Sequence, residues 1–158
     1  MISSELRVLD IEDAVLWCDV WRKRNLRIAF TNGCFDVLHI GHLALLDFTL
    51  SKCDRLIVGI NSDASVRRLK GRNRPINTAR DRATMLASFT MVDAVVIFDE
   101  DTPMKLIEKL EPDVLIKGGD YKIKDIVGAE RTLAVGGKVY RCPMHGHQST
   151  TKIIARTA

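Results

Sequence analysis

A chain of 158 residues with 46% hydrophobic side chains is the size of one domain and can bury a proper core. No run reaches the roughly 18 consecutive apolar residues of a membrane span, and Met1-Ile2-Ser3-Ser4-Glu5 lacks the basic and apolar regions of a signal peptide, so a cytoplasmic protein with no membrane partner is expected. A net charge of +4 favours anionic ligands, but with aromatics at only 6% it does not call for nucleic acid.

Residues 10 to 24 place Ile11, Ala14, Val15, Cys18 and Trp21 near helical spacing, with Asp10 as N-cap candidate and basic residues at the far end. Strands follow at 27 to 30 and 55 to 60, with a helix at 40 to 52 between them. The second strand is nearly all apolar, as suits a parallel sheet covered on both faces. After a polar interval come a helix around 79 to 89, a strand at 94 to 98, a helix at 103 to 110 and a strand at 114 to 117. A last strand at 138 to 141 precedes a short helix beginning near Ser149. Alternating strands and helices predict a doubly wound, Rossmann-like parallel sheet of about five strands with helices on both faces. Residues 1–26 read as an N-terminal helix extension and 27–158 as the catalytic core. Cys18, Cys34, Cys53 and Cys142 form no C-x-x-C pair, so reduced thiols are expected.

In such sheets ligands bind beyond the carboxyl ends of the strands. Those ends carry Thr31-Asn32-Gly33, Asn61-Ser62-Asp63, Asp99-Glu100-Asp101, Gly118-Gly119-Asp120-Tyr121 and His145-Gly146-His147. The richest stretch is Thr31-Asn32-Gly33-Cys34-Phe35-Asp36-Val37-Leu38-His39-Ile40-Gly41-His42, read as strand, loop and helix start. His39 and His42 are three apart and share a face of the first helical turn, where free backbone N–H groups favour a phosphate. Asn32 and Gly33 would turn the loop's own N–H groups inward. A zinc site from Cys34, His39 and His42 does not have the usual structural spacing, and no metal ligand is assigned.

Arg67, Arg68, Lys70, Arg72 and Arg74 crowd eight positions, with Arg80 and Arg82 close behind. They read as a mobile cationic flap that closes on phosphates, with Lys70 and Arg82 its most useful members. Ser149, Thr150 and Thr151 open the last helix, where an anion can bind, and Gly118 with Gly119 lets a flat base approach the backbone. Together these segments describe a site for a triphosphate and a second phosphate. No G-x-G-x-x-G follows a strand and no P-loop sequence is present, which disfavours nicotinamide enzymes and P-loop ATPases.

The H-x-G-H string with its T-N-G-x-F-D lead-in resembles the signature of the cytidylyltransferase-like nucleotidyltransferases. From about 27 to 156 the chain is similar to the family of adenylyltransferases that make ADP-heptose from D-glycero-β-D-manno-heptose 1-phosphate for lipopolysaccharide precursors. That resemblance also rests on D-R-L-I-V (54–58), N-S-D-A-S-V-R-R-L-K-G (61–71), R-P-I-N (74–77), E-D-T-P (100–103), K-G-G-D-Y (117–121) and S-T-T-x-I-I (149–154). It implies transfer of AMP from ATP to the sugar phosphate, with Mg²⁺ accompanying the triphosphate. It also implies that His39 and His42 stabilise the transition state, that Phe35 and Gly41 lie near the nucleotide, and that Lys70, Arg82 and residues 149 to 151 hold phosphates. A homo-oligomer is expected. Bifunctional members carry a sugar kinase ahead of this domain, so a separate kinase is expected to make the substrate here. His145-Gly146-His147-Gln148 replaces the family's acidic Asp-Gly-Cys-like segment, which leaves the choice of sugar and nucleotide open. Glycerol-3-phosphate cytidylyltransferase and FAD synthetase share the H-x-G-H core, and K-G-G-D-Y and R-P-I-N weigh against both. Class I aminoacyl-tRNA synthetases also use H-I-G-H, but K-M-S-K-S is missing. A nucleotide-sensing or RNA-binding module would not need His39, His42 and Lys70 intact.

Overall fold

The computed structural model describes residues 4–119, 121–143 and 149–157. Its strands are β1 (Val8–Leu9), β2 (Ile28–Gly33), β3 (Arg55–Asn61), β4 (Ala94–Phe98), β5 (Val114–Gly118) and β6 (Lys138–Cys142). All pair in parallel, in the order β1-β4-β3-β2-β5-β6. The helices are α1 (Ile11–Lys23), α2 (Ile40–Leu50), α3 (Asp63–Lys70), α4 (Ala79–Ala87), α5 (Met104–Leu110), α6 (Ala129–Ala134) and α7 (Thr150–Thr157). Alternate residues of each strand face opposite layers. Ile28, Phe30, Ile57, Ala94 and Val96 join α1 and α5 on one side, while Ala29, Leu56, Val58, Val95 and Ile116 join α2 and α4 on the other. This is the expected Rossmann-like α/β architecture, with six strands rather than five. The added strand is two residues long and edge-paired to β4, too short to leave a periodic signal.

Two further corrections bear on the site. Thr31, Asn32 and Gly33 belong to β2 and not to a loop, because β3 offers partners as far as Ile60 and pairing overrides the poor strand propensity of Asn and Gly. The first half of the cationic stretch is no loop either. Ser62 caps α3 by accepting from the Ser65 N–H, and Arg67, Arg68 and Lys70 form the last turn of that helix.

The strands are tied at their amino ends by one repeated device. Asp54 accepts from the Arg27 N–H, Asp93 from the Leu56 N–H and Asp113 from the Ile28 N–H, each at 2.8 Å. Each carboxylate precedes its own strand and clamps the first N–H groups of the neighbouring one. The environments differ. The Arg27 N–H, outweighing a little desolvation and helped by the Arg27 guanidinium, holds the Asp54 carboxyl below its ordinary value, whereas burial raises that of Asp93 despite the Leu56 N–H.

Leaving β2, the chain moves to β3 and β4 on one side and returns to β5 and β6 on the other. The strand order therefore reverses between β2 and β5, and a crevice opens beyond their carboxyl ends.

Candidate active site

That crevice has two lobes. The larger, about 530 Å³, is lined among others by Cys34, Asp36, Asn61, Lys70, Arg74, Asp101, Asp125 and Ser149 to Thr151. The smaller, about 230 Å³, is walled by Gly41, Leu45, Gly118, Gly119, Cys142 and Pro143. Asn32, Gly33, Phe35, His39, His42, Lys117 and Tyr121 line both and form the seam between them.

At the seam the histidines do two jobs. His39 is the N-cap of α2, its Nδ1 accepting from the Gly41 N–H at 3.1 Å, and His42 Nδ1 accepts from the His39 N–H at 3.3 Å. The rings stack with centroids 3.8 Å apart, and His42 also lies 4.9 Å from the Phe35 ring. With each Nδ1 used as an acceptor, the proton of each neutral ring sits on Nε2. Burial lowers the affinity of His39 for a second proton and, with His39 adding to it, holds His42 down to about 4. The pair thus offers two neutral N–H donors at pH 7, fixed by the helix start.

The loop after β2 is held by a buried polar network. Asp36 is 1% exposed and accepts from Arg74 Nε at 2.5 Å and from the Ile76 and Asn77 N–H groups at 2.8 and 3.0 Å. Burial alone would raise its carboxyl, but the Asn77 and Ile76 N–H groups and the Arg74 guanidinium outweigh that and hold it low. Asn77 Nδ2 returns a bond to the Asp36 carbonyl. Fully buried Arg82 donates to the Cys34 carbonyl at 2.6 Å, to Asp63 at 2.8 Å and to the Asn77 carbonyl at 3.0 Å. Phe35, between these anchors, has φ 48, a left-handed conformation a bulky residue seldom adopts.

Several sequence expectations change here. Arg82 is no flap cation: every nitrogen of its guanidinium is spent inside the protein, so it braces the loop rather than meeting a ligand. The carboxylate of Asp36 is likewise saturated by the R-P-I-N segment, and Thr31 is a fully buried strand residue that does not line the crevice. Of the proposed flap only residues 71 to 73 lie between helix and anchor. Lys70 does stand exposed at the larger lobe. Cys34 lines that lobe with its thiol 3.8 Å from Asn61 Oδ1. Ser149 caps α7 by accepting from the Lys152 N–H, and Thr150 donates to the Val37 carbonyl, which ties α7 to the histidine loop. Gly118 and Gly119 form the floor of the smaller lobe, and Gly119, at φ +103, needs to be glycine. Asp120 and residues 144–148, with His145 and His147, lie outside the described residues. Sequence reasoning did not single out Lys117. Its signal was a lone cation at the end of an apolar parallel strand, just before the two glycines.

Residues 30–156 match the family model described as cytidylyltransferase-like. The bifunctional protein HldE of Caulobacter vibrioides is 51% identical over 153 residues, covering 97% of this chain and 32% of that protein. HldE of Mesorhizobium japonicum is 50% identical over 149 residues, covering 94% and 30%. The chain spans about a third of the length of these curated relatives. Among solved structures, the lipopolysaccharide core biosynthesis protein from Thermoplasma volcanium GSS1 matches with a TM-score of 0.61 at 25% identity, over 78% of this chain and 99% of that one. Pantoate-beta-alanine ligase from Francisella tularensis, complexed with beta-gamma ATP and beta-alanine, matches with 0.59 at 17% identity, over 94% and 76%, a likeness of fold.

Proposed function

The chain belongs to the cytidylyltransferase-like family of nucleotidyltransferases, and from that premise we propose that it transfers AMP from ATP to a sugar 1-phosphate, D-glycero-β-D-manno-heptose 1-phosphate, releasing pyrophosphate. The observation that carries this reading is the seam. Two neutral Nε2–H donors stand where a glycine-lined lobe meets a larger one bearing Lys70 and the start of α7. A base on Gly118 and Gly119 would send its phosphates past the histidines toward Lys70.

The sugar phosphate is an anionic nucleophile at neutral pH, its second pKa being near 6, so no general base is needed. One of its oxygens attacks the α-phosphorus in line, the bond to the bridging oxygen of the β-phosphate breaks, and pyrophosphate leaves with the electron pair. His39 and His42 donate to oxygens whose charge grows in that step, and Lys70 meets the departing pyrophosphate. Among the described residues no group of three or more His, Cys, Asp or Glu side chains is arranged to hold a metal. Mg²⁺ would accompany the triphosphate and supply charge neutralisation there. A sugar kinase activity would provide the substrate, a cytoplasmic setting fits both reactions, and the product would feed lipopolysaccharide synthesis. No described helix is long and apolar enough to cross a membrane.

The test is a pyrophosphate-release panel crossing ATP, CTP and GTP with heptose 1-phosphates, glycerol 3-phosphate and FMN. ATP with a β-configured heptose 1-phosphate should turn over fastest, and CTP with glycerol 3-phosphate winning would overturn the reading.

A further inference from the structure

We infer that Lys117 is a further catalytic residue, its ammonium holding a non-bridging oxygen of the nucleotide's α-phosphate while AMP is transferred. The inference rests on the adenylyl-transfer reading above. Lys117 is the penultimate residue of β5, next to Gly118, and its Nζ donates to the Asn32 carbonyl at 2.9 Å and to Asn32 Oδ1 at 3.4 Å. Both acceptors are neutral amide oxygens, and among the described residues no carboxylate lies within ion-pair distance of it. An ammonium carries three protons, so two bonds to Asn32 orient it and leave one donor and the whole charge for the crevice. Its remaining neighbour among the described residues is the Tyr121 ring, 6.0 Å away, and a largely buried cation held by two amide oxygens and one distant ring face is costly unless an anion completes it. Burial pushes Lys117 toward the neutral form; Cys34 opposes the push and Lys70 adds to it.

Position decides which anion. Lys117 lines both lobes, as His39 and His42 do, whereas Lys70 and residues 149 to 151 line only the larger and Gly118 and Gly119 only the smaller. A nucleotide with its base on the glycines passes its α-phosphate through the seam and carries its β- and γ-phosphates into the larger lobe. Lys117 then joins the imidazoles around the reacting phosphorus, while Lys70 serves the leaving group. During transfer one P–O bond forms, the α–β bridge breaks, and Lys117 keeps its proton throughout, acting by charge alone.

The test uses Lys117→Met and Lys117→Gln, the second retaining an N–H for Asn32 should the first fail to fold. Each should lose on the order of 10²-fold in kcat with KM for ATP changed less than about threefold. In ³¹P NMR of ATP bound without sugar phosphate, the substitution should move the α resonance and leave β and γ in place. A purely structural lysine would move none of the three. Unchanged kcat, or displacement of β or γ rather than α, would overturn the assignment. A wild-type enzyme that transfers AMP to no sugar phosphate would sink the substrate reading, and the NMR arm would still decide Lys117.

Discussion

The two ends of the sheet use the same kinds of side chain for opposite purposes. At the amino ends Asp54, Asp93 and Asp113 spend their carboxylates on neighbouring strands, and Arg55 pairs with Asp93. At the carboxyl ends the polar groups form two tiers. Asp36, Asp63, Asn77, Arg74 and Arg82 close a buried network under the loop, and above it His39, His42, Lys70 and Lys117 keep donors for the crevice. The lesson is that charge at a ligand-binding end does not by itself mark a ligand-binding residue. What separates the tiers is whether a side chain's donors are already used.

Four experiments would break or sharpen that division. The largest effect is expected at Arg82, because Arg82→Ala would leave Asp63 and two carbonyls without their buried partner. A loss of about 3–5 kcal/mol in urea unfolding is expected, with Arg82→Lys unable to restore the three-way geometry. A variant that unfolds like wild type and loses only phosphate affinity would return Arg82 to the ligand-facing tier.

Next is His39→Asn. Asn is a good N-cap, so the bond from the Gly41 N–H has a replacement acceptor and the melting temperature should hardly move. The Nε2–H is lost, however, and kcat should fall about 10²–10³-fold with little change in KM for ATP. An enzyme that keeps its kcat and merely needs more ATP would make the histidine a binding element. Pairing it with His42→Ala should cost less than the product of the single losses, because in the proposed reaction both donors would serve one phosphate.

Third comes pH. His42 is held down to about 4 in the folded protein, by burial first and His39 second, while an unfolded histidine titrates near 6.5. As pH falls the unfolded chain takes the proton first, so this stability is fully present above about 6.5 and is lost between there and 4, about 3 kcal/mol at most. Urea midpoints of wild type and His42→Asn should converge across that window. Parallel curves would show that His42 is not buried neutral.

The smallest effect belongs to the amino end. Asp113→Ala should cost about 1 kcal/mol, through the Ile28 N–H it leaves unpaired, and leave kcat unchanged. A fall in kcat without loss of stability would mean that the two ends are coupled.

Much of the fold was legible because its signals are local. Four of the six strands, β2 to β5, are built on apolar runs bounded by polar residues, β6 alternates apolar and polar side chains, and α1, α2, α4 and α5 carry caps or helical periodicity. The H-x-G-H string was legible for the same reason: its geometry is set within four residues, by a cap that His39 and His42 make for each other. Helix α3 was hidden because its last turn is all charge and Leu69, which reads as a solvated loop until Ser62 is seen to cap it. Lys117 was hidden because nothing within a few residues says that its amine reaches the end of β2.

The sequence by itself determined the alternating α/β order, the helix start that fixes the histidines and the polar residues waiting at the strand ends. Only the tertiary structure decided which of those residues remain available to a ligand. Arg82 meets the Cys34 carbonyl across 48 residues and Arg74 meets Asp36 across 38. Whether a guanidinium is spent or free depends on contacts at that separation, and neither its residue type nor its local spacing carries that information.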